Sequence, residues 1–354
     1  MRCLVVADLH YSLPQFDWLL AAAPEFDVVI FAGDALDIGS FVDFRAQILV
    51  VKKYLSLLSG MTRVIFCSGN HDLDERSAEG EKIARWVGDI RELGIACDGD
   101  DLTIGDVRFT VCPWWDGPLV KGRIEAQLRD AAAERAQRWI WVHHAPPANS
   151  PTSWGGKRFF GDVELVQWIA QYQPSMVISG HVHQSPFIPD GSWFDRLGDT
   201  WVFNTGLQHG RPPVYLVVDL DEDTAFWLAA GEAQRVDLRG PLRRPAAEIE
   251  RHLRAMWPWP RAWTTVHGSP IQIHGASVVD VEHDVHEPGA VVSERRRLIV
   301  ACGVDALQIE IVEPAGRRTM PATAYLNGLR TPIVRFGEAG APETLPPLNV
   351  PIET

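Results

Sequence analysis

Five short segments of this 354-residue chain carry side chains that can do chemistry. They are Asp8-Leu9-His10, Gly33-Asp34, Gly69-Asn70-His71-Asp72, His143-His144-Ala145-Pro146-Pro147 and Gly180-His181-Val182-His183. Within them Asp8, His10, Asp34, Asn70, His143, His181 and His183 offer oxygen and imidazole donors, with no thiolate in the set. That mixture suits borderline-to-hard divalent ions such as Mn²⁺, Fe²⁺ or Zn²⁺ over soft-metal or cluster chemistry. Seven ligands exceed what one catalytic ion uses. With one carboxylate shared they make two four-ligand shells, each with room for solvent. Paired ions roughly 3.5–4 Å apart can hold a hydroxide nucleophile between them and neutralise a phosphoryl transition state.

No segment decides the matter alone. Asp-x-His at a strand end is commonly a loop whose polar groups bond one another, and Gly-Asp and Gly-Asn are frequent turn pairs. The inference rests on their conjunction and on what precedes them. Six apolar, β-branched runs at 4–7, 28–32, 64–67, 139–142, 176–179 and 201–203 each end in a polar cluster, the last being Asn204-Thr205-Gly206. Helix-period stretches lie between several of them, at 41–58, 81–93, 124–137 and 162–172. Strands apolar throughout and alternating with helices predict an α/β domain whose sheets are covered on their faces. In such folds the loops after the strand ends share one edge, where ligands bind. All the clusters are therefore expected to converge.

Taken in order, Asp8-x-His10, Gly33-Asp34-x-x-Asp37, Gly69-Asn70-His71-Asp72, His143 opening His-His-Ala-Pro-Pro, and Gly180-His-Val-His183 resemble the signature of the calcineurin-like metallophosphoesterases. The resemblance covers about residues 1–238 and implies a four-layer α/β/β/α sandwich. It also implies one metal held by Asp8, His10, Asp34 and His183, and a second by Asp34, Asn70, His143 and His181, with Asp34 as the bridge. Of the adjacent pair, His143 is carried over as the ligand because it directly follows the strand, and His144 as its support. His71 matches the family's non-ligand histidine, which contacts the phosphate and assists the leaving oxygen as a general acid. Asp72 is expected to orient the His71 ring; for Asp72 and Asp37 the plain alternative is loop hydrogen bonding. Asn204-Thr205-Gly206 stands where many relatives read Asn-Pro-Gly, a departure that touches no ligand.

Substrate candidates are thinner. The loop after His143 carries Trp154, Lys157 and Arg158, where a cation can clamp a phosphate and the indole can stack on a ring. Trp114-Trp115 and His209-Gly210-Arg211 are similar candidates; solvated loops and core tryptophans are the bland alternative.

After Asp237 the texture changes. Residues 239–245 read as a charged, Pro/Gly-containing linker, 246–256 as a short helix, and 271–281, 289–293, 298–302 and 306–312 as strands of a small antiparallel barrel. Residues 246–328 resemble the C-terminal domain of methionyl-tRNA formyltransferase, through 246–263, Glu287-Pro-Gly289, 298–303, 307–320 and Tyr325-Leu-Asn-Gly328. The resemblance implies an oligonucleotide-binding-like β-barrel. The formyl-transferring half has no counterpart upstream. Residues 329–354 are rich in Pro, Gly and Glu and read as a loose tail.

Composition sets outer limits. The chain is 46% hydrophobic and 22% charged, ordinary for a globular protein, and no apolar run reaches the roughly 18 residues of a membrane span. The N-terminus turns polar at Asp8, too early for a signal peptide, and Cys3, Cys67 and Cys302 sit in apolar runs as buried thiols do. The expected location is cytoplasmic. The net charge of −13 falls wholly in residues 1–238, with 20 cations against 33 anions; residues 239–354 hold 13 of each, every cation an arginine. Such a field repels polyanions unless metal ions or a local patch reverse it. The expected function is a dinuclear phosphoesterase, most simply a phosphodiesterase, whose barrel recruits a substrate, with RNA or a nucleotide as candidate partner. The alternatives are a phosphomonoesterase whose barrel is a homo-oligomer surface, and a non-catalytic scaffold on the same fold.

Overall fold

The computed structural model describes residues 1–133, 138–239, 246–256, 262–267, 269–280, 287–294, 297–329 and 331–336. It divides into two compact units, Met1–Gly240 and Pro241–Thr354.

In the first unit, seven strands form one sheet in the order Glu232–Asp237, Thr224–Ala229, Tyr215–Asp219, Arg2–Val6, Val28–Ala32, Arg63–Cys67 and Ala96–Cys97. The last four run parallel and the first three are added antiparallel. A second sheet of six has the order Phe194–Leu197, Thr200–Asn204, Met176–Ser179, Arg138–Val142, Val107–Val111 and Asp101–Ile104, parallel except at its two edges.

Side-chain alternation explains how both sheets bury both faces. Leu4, Val6, Val29, Phe31 and Phe66 pack with residues of the helices Leu13–Ala22, Phe44–Ser59 and Arg85–Asp89. Trp141, Val177 and Val202 pack with residues of Pro118–Ala132 and Val163–Tyr172. Residues of the other parity, among them Val5, Ile30, Ile65, Ile140, Val142, Ile178 and Phe203, are equally buried. They line the interior between the sheets, which is crossed by the Trp227 Nε1–H bond to Thr205 O at 2.9 Å and the Trp114 N–H bond to Ser68 Oγ at 2.9 Å. The result is the expected four-layer α/β/β/α arrangement. All six expected strands are present, and their polar C-terminal clusters share one edge.

Local chemistry sets the helix ends. The Asp43 carboxylate accepts from Arg45 N and Ala46 N, and Asp162 from Glu164 N and Leu165 N, each satisfying donors that a helix start leaves unpaired. The helix expected over 81–93 begins at Arg85 instead, because Lys82–Ile83 pairs with Glu75–Arg76 as a hairpin. Glu81 is drawn away too, its carboxylate accepting from Leu119 N and Val120 N at the start of the Pro118–Ala132 helix. Residues 134–137, expected to end that helix, lie outside the described residues.

The second unit is a curled antiparallel sheet in the order Ala262–Val266, Ser269–Val279, Ala306–Pro314, Arg297–Ala301 and Val291–Glu294, with the helix Ala246–Ala255. Its core holds Ile271, Ile273, Leu298, Val300, Leu307, Ile309 and Val312. The chain beyond Gly328 does not begin as a loose tail: Ile333 and Phe336 are buried in this core, and Phe336 N–H bonds Gly289 O at 2.8 Å. Two well-placed apolar side chains outweigh the Pro/Gly-rich composition there. Residues 240–245 of the expected linker and 337–354 of the expected tail lie outside the described residues. Among the described residues no helix is long and apolar enough to cross a membrane.

Candidate metal centre

The strand ends turn sharply to aim their donors. Asp8, His10, Asp34 and His181 hold left-handed backbone conformations, with φ of 57°, 41°, 57° and 71°. Asp and His visit this region more readily than most residues, at a cost of order 1 kcal/mol each that the surrounding packing sustains. Backbone bonds lock the turns: Asp8 N to Gly33 O at 3.0 Å and His10 N to Asp34 O at 3.1 Å.

The glycines preceding the donors have a steric reason. A Cβ at Gly33 would overlap the His144 ring, one at Gly69 the Asp34 carboxylate, and one at Gly180 the Asp8 carboxylate. Gly33 also has φ +91°. Gly33→Ala is therefore expected to cost about 2–4 kcal/mol of stability and to displace His144, lowering metal content. Thermal melting and elemental analysis check this; a variant of unchanged stability and metal content would remove the steric argument.

Two donor groups result. Asp8, His10, Asp34 and His183 bring one ligand atom each within 4.8 Å of all the others. In that group His183 Nε2 lies 3.2 Å from Asp8 Oδ1 and 3.1 Å from His10 Nε2. Asp34, His144 and His181 form the second, with His144 Nε2 3.1 Å from Asp34 Oδ2 and His181 Nδ1 2.9 Å from Asn70 Oδ1. Asp34 belongs to both.

The donors fit cations. His144 Nδ1 lies 2.7 Å from Ala32 O, an acceptor only, so Nδ1 carries the hydrogen and Nε2 is left facing the carboxylates. His144 Nε2 and His10 Nδ1 are buried with no hydrogen-bond partner. The His144 Nε2 lone pair, aimed at the buried Asp34 carboxylate, is repelled unless a proton or a cation stands between them. The balance of burial against the Asp34 and Asp8 charges expresses that demand, pushing His144 up to about 10. Asp34 is held below the usual carboxylate range, the His144 charge overcoming its burial. Burial, then the His144 charge, push His181 down to about 4, and burial lowers His10 as well.

One expected ligand is corrected. His143 does not enter the centre: its Nε2 lies 3.1 Å from Asp162 Oδ2, and its ring is 6.4 Å from Trp168 on the helix-covered side. The strand explains the exchange. His143 N still bonds Ile178 O at 3.0 Å, so the pleat continues, and His143 shares the face of Trp141 while His144 shares that of Val142. Period-two alternation, readable from the apolar run, points the second histidine inward.

Asp72 is the other correction. It does not reach the His71 ring. Its buried carboxylate accepts from the N–H groups of Asp34, Ala35, Leu36 and Gly69 at 2.8, 3.1, 3.1 and 2.9 Å. Burial, then the Asp34 charge, push it up to about 8, while the N–H donors pull the other way. It clamps the loop that presents Asp34. Beside His71 stands Asp37, whose Oδ1 is 4.0 Å from Nδ1, and Ile38 N–H donates to the same nitrogen at 3.4 Å.

The remaining candidates separate. Trp114, half-buried, stands 5.1 Å from the His181 ring and 5.7 Å from that of His144, and so walls the second donor group. Trp115 Nε1–H holds Asp162, the partner of His143, a role that only the fold reveals. Trp154 packs on Phe159 at 4.9 Å and Arg158 over Phe160 at 4.6 Å, while Lys157 is exposed. Their loop is tied next to His183 through Gln184 Nε2–H to Gly155 O at 3.3 Å. His209 is exposed, on a turn that the Gln15 amide holds through Gln208 O and Gly210 O. Asn204, at the sixth strand end, donates to Val182 O at 3.0 Å and so steadies the His181–His183 loop.

The C-terminal region is similar to methionyl-tRNA formyltransferases, 41% identical over 87 residues to that of Roseiflexus castenholzii and 37% over 98 residues to that of Methylococcus capsulatus. These matches take in 25% and 28% of this chain, and the chain spans only 28% and 32% of those relatives. Similar solved structures include a dimetal phosphatase from Danio rerio, 12% identical over 67% of this chain and 99% of that one, with a TM-score of 0.42. A purple acid phosphatase from yellow lupin is 13% identical over 67% of this chain and 52% of its own, with a TM-score of 0.43. The family model for the formyl transferase C-terminal domain matches residues 242–330, and that for the calcineurin-like phosphoesterases matches residues 1–185, more than half of the chain. The chain therefore belongs to the calcineurin-like phosphoesterases, as a metal-dependent phosphoester hydrolase joined to a formyl transferase C-terminal domain.

Proposed function

We propose that the chain is a phosphodiesterase with two divalent ions, one held by Asp8, His10, Asp34 and His183 and the other by Asp34, Asn70, His144 and His181. The donor chemistry favours Mn²⁺ or Fe²⁺, with Zn²⁺ also suited. Bound there, the ions supply electrophilic activation of the phosphoryl group and a nucleophile at neutral pH. His71 stands beside the first group, its ring 4.5 Å from that of His10. Ile38 N and Asp37 Oδ1 both stand at Nδ1, which leaves Nε2 as the nitrogen that would give a proton to the leaving oxygen when the ring carries both protons. Asp37 Oδ1, 4.0 Å from Nδ1, orients the ring, a positioning role.

One observation carries the diester reading. Among the described residues, the side chains that hydrogen-bond, ion-pair or stack with the donor groups are carboxylates, imidazoles, an amide and Trp114, and none is a lysine or arginine. A diester brings one negative charge to such a centre and a monoester brings close to two, so the former needs no added cation clamp. Mn²⁺-dependent hydrolysis of bis-p-nitrophenyl phosphate beside p-nitrophenyl phosphate tests it. The expected kcat/KM ratio favours the diester by at least about tenfold, equal to about 1.4 kcal/mol. A monoester preference overturns the diester reading and supports a phosphomonoesterase.

The C-terminal unit is assigned to substrate recruitment. Its relatives are named for a tRNA substrate, which supports RNA as the partner class, and Arg317 and Arg318 are exposed on a turn there. Anisotropy of labelled tRNA with the full chain checks this; binding that is absent or insensitive to salt removes the assignment. A reducing cytoplasmic location accords with five free cysteines, four of them buried.

A further inference from the structure

The loop between Asp37 and Asp43 breaks the rule of its surroundings. In a unit of strongly negative charge it exposes three apolar side chains in five residues: Ile38 at 64%, Phe41 at 108% and Val42 at 42%. Scattered exposed apolar residues are ordinary, but a cluster beside a reactive centre is not. The loop that carries this cluster adjoins the centre, because the Ile38 N–H is the donor to His71 Nδ1 and Asp37 is the carboxylate beside the same ring.

The loop is also built to stay open. The buried Gln47 amide spans it, accepting from Asp37 N at 2.9 Å and donating to Asp37 O at 3.0 Å and Val42 O at 2.9 Å. Gly39 N–H bonds Asp37 Oδ1 at 2.8 Å, and Asp43 caps the following helix. With both ends tied, the apolar side chains face solvent without their own backbone collapsing over them. Such pre-organisation removes ordering cost when something apolar binds.

We propose that Ile38, Phe41 and Val42 form a specificity rim that receives the apolar part of the alcohol esterified to the phosphoryl group. The substrate class is a phosphoester of an alkyl or aryl alcohol. The inference rests on the phosphoesterase reading of the same centre but not on its diester form. The alkyl group has two possible sources, a free small ester or a lipid at a membrane surface.

The test is calorimetric binding of methyl-, butyl- and hexylphosphonate to the Mn²⁺-loaded full chain, which needs no turnover. A fully buried methylene is worth about fourfold in affinity, and about twofold where a rim covers one side. Affinity is therefore expected to rise about 30-fold from methyl to hexyl in the native chain, and Phe41→Ser to flatten the rise to a few-fold. In parallel, p-nitrophenyl alkyl phosphates of the same chain lengths are expected to show the trend in KM with kcat nearly constant. Affinities independent of chain length, or a slope untouched by Phe41→Ser, overturn the rim. Failure of every diester to turn over, with the phosphonate slope intact, overturns only the diester reading. Sedimentation with phosphatidylcholine vesicles separates the sources: co-sedimentation that Phe41→Ser abolishes assigns the alkyl group to a lipid, and none assigns it to a free ester.

Discussion

Asp34→Ala is expected to abolish binding of both metal ions and to lower phosphoester hydrolysis by about 10³-fold or more. Asp34 Oδ2 lies 3.1 Å from His144 Nε2 and 3.9 Å from His10 Nε2, so one oxygen faces both donor groups. The other, Oδ1, accepts from His71 N and holds the loop that carries His71. Losing a cation that stabilises a phosphoryl transition state forfeits several kcal/mol, and about 4 kcal/mol is already 10³ in rate. Asp34→Asn keeps the shape and an acceptor for His71 N, so it separates lost charge from a collapsed loop. Elemental analysis, circular dichroism and hydrolysis of bis-p-nitrophenyl phosphate read the outcome. A folded Asp34→Ala variant that keeps two ions contradicts the shared carboxylate.

The second large effect separates two adjacent residues. His144→Ala is expected to lose one of the two ions and about 10²–10³ in rate, while His143→Ala keeps both ions. The structural basis is the opposite orientation of the rings: His144 Nε2 is a buried, unpartnered nitrogen facing Asp34, and His143 is spent on Asp162. His143→Ala should instead register as lost stability of about 1–3 kcal/mol, because it strips a buried carboxylate of a partner. That loss is moderated by Trp115 Nε1–H, which also donates to Asp162 at 2.9 Å. Metal content of the two variants is the discriminating measurement. If His143→Ala loses an ion and His144→Ala does not, the assignment of the second donor group is reversed.

The comparison of these two histidines also shows what was legible beforehand. The strands, their order of appearance and the donors at their ends follow from apolar runs and residue types, because burial on both faces leaves a continuous signal. Which of two neighbouring side chains points inward depends on the pleat continuing one residue past the apolar run. The rule that the ligand directly follows the strand ignores that residue. Asp72 fails for a different reason. Nearness in sequence to His71 suggests a partner, but the chain turns between them: Asp72 clamps the loop around Asp34, and it is Asp37, farther along that same loop, that stands beside the ring. The antiparallel strands Tyr215–Asp219 and Thr224–Ala229 are apolar runs as well, but their place beside Arg2–Val6 is set by pairing, which an apolar run does not reveal. At Ile333 and Phe336 composition misled where two individual side chains decided.

The proposed centre is a pair of cation sites sharing Asp34. Its most direct test is a titration of the metal-stripped full chain with Mn²⁺, following bound metal and diester hydrolysis together. Two ions bound per chain, with hydrolysis appearing as the second site fills, is the predicted result. Full activity at one ion per chain, or binding that saturates without Asp34, contradicts it.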